Sequence, residues 1–202
     1  MRAGDAKAVL VVGVEVTSSH YDINSTDNSS LVAHALFADG AAAVVLAPEG
    51  KWKYEKTGMS VIPNSKGLLT LNPPFAKEHT SYRMYLDKNV SNEMGIYFSE
   101  GKGKDLLDSL HSSNKKPFPA LCIHPGGPKI LQAFGNEIYS RGWSKNSMQN
   151  SYDLIENYGN LGAAAILFVL AKSINQIEED EMITMAFGPG VTVEWAKLSK
   201  VH

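Results

Sequence analysis

Three stretches of the chain carry side chains that could do chemistry. In Phe118 to Pro128, a short apolar run ends in His124 and a glycine-rich turn, Phe-Pro-Ala-Leu-Cys-Ile-His-Pro-Gly-Gly-Pro. Ala120, Leu121 and Ile123 suit a buried strand, Pro125 and Pro128 stop regular pairing, and Gly126 and Gly127 let backbone pass close to a bound group. In Asn157 to Ala165, a polar turn containing Asn160 opens into a helix of small residues that continues as Ile166 to Leu170. In Ala186 to Glu194, two strand-like runs flank a Gly-Pro-Gly turn. An imidazole and a carboxamide aimed at one oxygen stabilise negative charge on it, and loss of one such donor typically costs on the order of 3 kcal/mol of barrier. Read alone, His124 also suits a hydrogen-bonded core histidine, and Asn160 an N-cap of the helix that follows. Cys122 is the one thiol and lies two residues before His124, so both side chains take the same face of the strand and do not converge. It reads as a core cysteine.

The elements that must position these residues follow from periodicity. Ala8 to Val16 is a nearly continuous apolar run, the pattern of a strand covered on both faces in the middle of a sheet. A Ser/Asn/Asp-rich connection over 18–30 must be surface loop. Leu31 to Phe37 then suits a short helix, and Asp39-Gly40 turns the chain into a second buried strand, Ala41 to Leu46. A boundary rich in Gly and Pro follows over 48–66, with a short strand around Met59 to Ile62. Leu68 to Leu71 suits another strand, and Pro73-Pro74 forces an extended connection. Tyr82, Tyr85, Leu86, Val90 and Met94 share one helical face, and Leu106, Leu107 and Leu110 another after the Gly101-Lys102-Gly103 break. Two amphipathic helices over 129–139 and 147–157 flank the Arg141-Gly142-Trp143 turn, and Ile183 to Phe187 with Val191 to Trp195 form a closing hairpin. Helices alternating with strands predict an α/β layer architecture.

Composition excludes several classes. With 202 residues, 44% hydrophobic and 20% charged, the chain can bury a substantial core. Its 19 basic and 21 acidic residues give a formal charge of −2, with no charged block longer than Glu178-Glu179-Asp180-Glu181, so nucleic acid is not the expected partner. The longest apolar run, Leu161 to Ala171, is too short to span a bilayer, and residues 1–7 lack an apolar signal core. The expectation is a soluble cytoplasmic protein without membrane association. A single cysteine excludes an internal disulfide and a cysteine-based metal site. His20, His34, His79, His111 and His202 show no metal-ligand spacing, and no glycine pattern of a nucleotide-binding loop is present, so no metal and no nucleotide cofactor are expected.

The motifs HPGGP, YGN and FGPG, in that order, resemble the type III polyketide synthases, the chalcone and stilbene synthase family. The resemblance runs from about Ala8 to Leu198 and includes Leu36 to Ala43, similar to the family's LFGDGAAA with Ala38 in place of glycine. It implies a thiolase-like α/β fold, of which residues 1–50 are the end of the N-terminal half and 51–202 the C-terminal domain. It further implies decarboxylative Claisen condensation of malonyl-CoA onto an acyl-CoA starter, with His124 and Asn160 as the catalytic pair. By resemblance, Phe37 and Phe98 shape the substrate cavity, Thr17 with Ser18 or His20 lines it, and Phe187, Gly188 and Pro189 form its floor. Gly162 replaces a position often serine in plant members and is expected to enlarge the cavity or change the product, so the plant starter is not assumed. Lys129 falls near the family's coenzyme A tunnel but reads as a solvated lysine. No cofactor is implied beyond coenzyme A thioesters as substrates. The family's nucleophilic cysteine lies in an upstream half not represented here, so the chain is expected either to form a homodimeric synthase as part of a longer polypeptide or to pair with a chain that carries that cysteine. Other thiolase-fold condensing enzymes, a 3-ketoacyl-CoA synthase or a β-ketoacyl-acyl carrier protein synthase III, are alternatives, as is a non-catalytic complementing subunit.

Overall fold

The computed structural model describes residues 6–72, 83–110 and 118–202. The Pro73-Pro74 connection, Tyr82, His79 and His111 lie outside the described residues. In chain order the elements are β1 (Val9–Glu15), α1 (Asn28–Leu36), β2 (Gly40–Leu46), β3 (Trp52–Val61), β4 (Leu69–Asn72), β5 (Arg83–Leu86), α2 (Val90–Ser99), α3 (Lys102–Leu110), β6 (Ala120–Ile123), α4 (Pro128–Ser140), α5 (Gln149–Tyr158), α6 (Ala165–Ser173), β7 (Glu181–Gly188) and β8 (Thr192–Lys200). Single 3-10 turns cover Thr17–His20 and Gly162–Ala164.

A four-stranded sheet in the order β3-β8-β7-β6 forms the centre, with β6 parallel to β7 and the other pairs antiparallel. Alternation along its strands separates two cores. Leu121, Ile123, Ile183, Met185 and Val193 bury against Met94, Phe98, Leu107, Leu131 and Phe134 of α2, α3 and α4. Ala120, Cys122, Met182, Ala196 and Leu198 bury against Leu154, Ala165 and Val169 of α5 and α6. Beyond α6 lies a second sheet, the antiparallel pair β1–β2, whose Ala42 joins this second core. Helices on both faces of one sheet, with a further sheet outside, are the layers of a thiolase-like α/β fold.

Several boundaries differ from the expectation. Neither β1 nor β2 is covered on both faces. Leu10, Val12, Val14 and Val45 are 55–63% exposed, because nothing among the described residues covers the face turned away from α6. The short strand expected at Met59 to Ile62 is a ten-residue edge strand, β3. Tyr85 and Leu86 belong to β5, not to the helix, which begins at Val90. Among the described residues no helix is long and apolar enough to cross a membrane.

Candidate functional site

The parallel pairing of β6 with β7 places the ends of both strands, His124 and Phe187 to Gly190, at one end of the central sheet. β6 is four residues of unbroken burial, and the His124 N–H donates to Met185 O at 2.8 Å, extending the pairing one residue past the strand. Pro125 then ends it, and Gly126-Gly127 leads into α4, whose first residue is Pro128. That position has no helical partner for an N–H and favours proline.

Asn160 arrives from the other side. Gly159 ends α5 with a left-handed φ of +77°, and a side chain there would lie 2.8 Å from Leu36 O, so the motif glycine answers both backbone and space. The chain after it pairs with the end of α1: Asn160 N–H donates to Leu36 O at 2.8 Å, and Ala38 N–H donates to Asn160 O at 3.0 Å, bridging Phe37. The Asn160 side chain is equally fixed. Its Oδ1 accepts from Gly162 N–H at 3.0 Å, which sets the orientation of the carboxamide, and its Nδ2 donates to Gly126 O at 3.3 Å. Against the same glycine lies the imidazole: a Cβ built on Gly126 would meet His124 Cδ2 at 3.5 Å and Nε2 at 3.7 Å. The histidine and the asparagine thus meet at the HPGG turn from separate elements.

Both are buried, His124 at 7% and Asn160 at 2% exposure. Burial pulls the His124 pKa down to about 4, so the ring is neutral at pH 7 and offers one N–H donor. Cys122 sits on the same strand face as expected but points into the second core. Its Sγ is 3.0 Å from Met182 Sδ, and burial pushes its pKa up to about 11. It is a core thiol.

The remaining candidates divide. Thr17, His20 and Phe37 line one small cavity of about 20 Å³, together with Tyr21, His34 and Met84. Asp39 lies behind Thr17, accepting from Ser18 Oγ–H at 2.6 Å, Ser18 N–H at 2.8 Å and Thr17 Oγ1–H at 3.3 Å, which holds the Asp39 carboxyl below its ordinary pKa. Phe98 does not join them. It is fully buried and packs edge-to-face on Phe134, with ring centroids 4.9 Å apart, because the inward stripe of α2 ends on it. The residue beside Phe37 is Met84, on β5, which Ser29 ties to α1 through Leu86 N–H at 3.0 Å. Phe187 leans on the first core, 6.2 Å from the Phe98 ring, while the Gly188-Pro189-Gly190 turn is held by Gly190 N–H to Leu69 O at 2.9 Å and Ser65 Oγ–H to Gly190 O at 2.6 Å.

Gly162 lies against β1: a Cβ there would lie 2.3 Å from Glu15 Oε2, so the space over Gly162 is filled by that carboxylate. Lys129 is exposed on the first turn of α4. Met84, Asp39 and Glu15 were not found from sequence. Strand alternation in Arg83 to Leu86 and the acidic end of β1 were the available signals.

Comparison with known proteins bears on the family and the fold. Residues 99–202 match the family model for the C-terminal domain of chalcone and stilbene synthases, and residues 1–63 match that for 3-oxoacyl-[acyl-carrier-protein] synthase III. An alpha-pyrone synthesis polyketide synthase-like protein of Mycobacterium tuberculosis, Pks18, is 29% identical over 96% of this chain and 50% of its own length. Among solved structures, 1,3,6,8-tetrahydroxynaphthalene synthase from Streptomyces coelicolor aligns with a TM-score of 0.82 at 24% identity, over 96% of this chain and 55% of that one. The C-terminal type III polyketide synthase domain of Steely1 from Dictyostelium aligns at 0.81 and 24%, over 96% and 54%. These two share the fold, and the chain spans about half the length of the curated relatives it matches. With its C-terminal 104 residues accounted for by that family model, the chain belongs to the chalcone and stilbene synthase family.

Proposed function

We propose that this chain is the C-terminal portion of a type III polyketide synthase-like acyltransferase, which extends an acyl-CoA starter with malonyl-CoA. In that reaction the bond between the malonyl carboxylate and its α-carbon breaks, carbon dioxide leaves, and the electron pair moves onto the thioester oxygen as an enolate. The enolate carbon then attacks the acyl thioester carbon and expels the thiol. His124 and Asn160 are the donors to that oxygen. The observation that carries the reading is their meeting at Gly126: a neutral buried imidazole and a carboxamide pinned through Oδ1, both preorganised before any charge develops.

In this reading residues 1–50 are the end of the N-terminal half and 51–202 the C-terminal domain. Phe37 and Thr17 form part of the substrate cavity wall, Phe187 to Pro189 lie at the same end of the sheet, and coenzyme A thioesters are substrates with no further cofactor. The test is conversion of malonyl-CoA to acetyl-CoA and carbon dioxide by the purified chain, by His124→Ala and by Asn160→Ala. Loss in both variants supports the assignment, and turnover unchanged in either removes that residue from it.

A second reading, a complementing subunit, is favoured by Cys122. Its thiol is buried and hard to ionise, so Cys122 is a poor acyl-enzyme nucleophile, and in this reading a partner polypeptide supplies that cysteine. The cavity beside Phe37, about 20 Å³ and partly open, is too small for an acyl chain, so further cavity wall is also needed. Chain extension that appears only when a separate polypeptide bearing the nucleophilic cysteine is added would establish this reading.

A further inference from the structure

We infer that Glu15 is a positioning residue for Asn160. Glu15 is the last residue of β1, and its Oε2 accepts from Ala163 N–H at 3.2 Å. The carboxylate also occupies the space over Gly162, where a Cβ would lie 2.3 Å from Oε2 and 2.6 Å from the carboxyl carbon. Gly162 is the residue whose N–H fixes Asn160 Oδ1. Glu15 therefore holds the peptide after Gly162 by a hydrogen bond and packs over Gly162 itself, the residue whose N–H sets which way the Asn160 carboxamide faces.

Two backbone approaches show that this grip belongs to the packing. A Cβ on Gly13, on the same face of β1, would lie 2.9 Å from Ala163 O. Gly40, which pairs with Glu15 across the sheet, would carry a Cβ 2.9 Å from Leu161 Cβ. β1 and β2 thus press on residues 161–163 from one side, while the Asn160 carboxamide reaches the HPGG turn on the other. A strand outside the central sheet sets the orientation of a donor at its end. The left-handed φ of +52° at Gly162 and the absence of a side chain are both needed for this.

The meaning of this positioning for catalysis rests on the role proposed for Asn160, but the positioning itself is measured without turnover. The probe is hydrogen exchange of side-chain amides in protein labelled with 15N-asparagine. Asn150 Nδ2, which donates to Ser173 Oγ at 2.9 Å between α5 and the end of α6, is an internal control remote from Glu15 in the sequence and bonded to neither Gly162 nor Gly126. In Glu15→Ala, Asn160 Nδ2 is expected to exchange at least about 10-fold faster with Asn150 unchanged. Glu15→Gln, which keeps an acceptor oxygen, is expected to restore most of the protection. Should Glu15→Ala not fold, Glu15→Asp, one methylene short of Ala163, is read in its place. Unchanged Asn160 exchange, or equal acceleration at Asn150, overturns the inference.

Malonyl-CoA turnover separates the two claims. If Glu15→Ala loosens Asn160 and lowers kcat at constant KM, both stand. If it loosens Asn160 in a chain whose decarboxylation does not depend on Asn160, the positioning stands and the catalytic role falls. If decarboxylation requires Asn160 while its exchange ignores Glu15, the positioning falls alone.

Discussion

Asn160 donates from its side-chain nitrogen to Gly126 O at 3.3 Å, while its side-chain oxygen is held by the Gly162 N–H at 3.0 Å. The two ends of one carboxamide therefore tie the YGN turn to the HPGG turn. Asn160→Asp keeps the acceptor and deletes the donor. We expect malonyl-CoA decarboxylation to fall by about 100-fold to 1000-fold, the usual loss for one oxyanion donor. A buried carboxylate facing a carbonyl also costs stability, so the melting temperature should fall further than in Asn160→Ala. Paired turnover and thermal unfolding measurements check both.

Burial lowers the pKa of His124 to about 4, against 6.5 for an ordinary imidazole. Because folding favours the neutral ring, its contribution to stability is fully present above about pH 6.5 and is lost as the pH falls toward and through 4. The full loss is on the order of 3 kcal/mol. His124→Asn removes the titration. Urea unfolding of both proteins between pH 7 and 4 should show a steeper decline in the parent chain, with the carboxylates common to both cancelling in the difference. Parallel pH profiles would show that the ring does not titrate as a buried group.

Cys122 should be silent. With its pKa pushed to about 11 from 9.0, its thiolate fraction at pH 8 is about 100-fold below that of an ordinary cysteine, before access is considered. Iodoacetamide is expected to modify it only in denaturant, and Cys122→Ala to leave any decarboxylation unchanged. Rapid native alkylation, followed by mass spectrometry, would contradict the core assignment.

The helix that delivers Phe37 depends on one cap. Asp27 Oδ1 accepts from Ser30 N–H at 3.0 Å at the start of α1, and the far end of that helix supplies Leu36 O to Asn160 N–H. Asp27→Ala is expected to cost about 1 kcal/mol and Asp27→Asn a smaller amount, read from chemical denaturation.

What the sequence revealed depended on local signals. His124 was legible because four apolar residues, a proline and two glycines compress strand, stop and turn into eight positions. The ends of α4 and α5 were legible for the same reason. β3 was obscured because, as an edge strand, it exposes Tyr54, Met59 and Val61 and carries Lys53, Glu55 and Lys56, which hide alternation. β5 was mistaken for helix because Tyr82, Tyr85 and Leu86 satisfy helical spacing as well. Phe98 reads as a cavity residue and Met84 goes unremarked because the cavity lies beside β5, a contact across more than forty residues from Phe37 that no local period encodes. Glu15 is invisible in the sequence because it packs against the peptide N–H of Ala163 and the space left by the missing side chain of Gly162.

The apolar character of β1 was read correctly, and its cover was not found. Leu10, Val12 and Val14 share a face with Ala41, Ala43 and Val45 across the pair, and no charged residue interrupts Ala8 to Val14. Such a face draws the chain into association, since exposed apolar surface with an unpaired strand edge is the usual template for it. Light scattering on a dilution series should show self-association of the purified chain. Val12→Lys, at a position already 55% exposed, is expected to disperse it while changing unfolding free energy by no more than about 0.5 kcal/mol. A chain that stays monomeric at high concentration would mean that this face needs no cover, and the burial inferred from its β-branched pattern would be wrong.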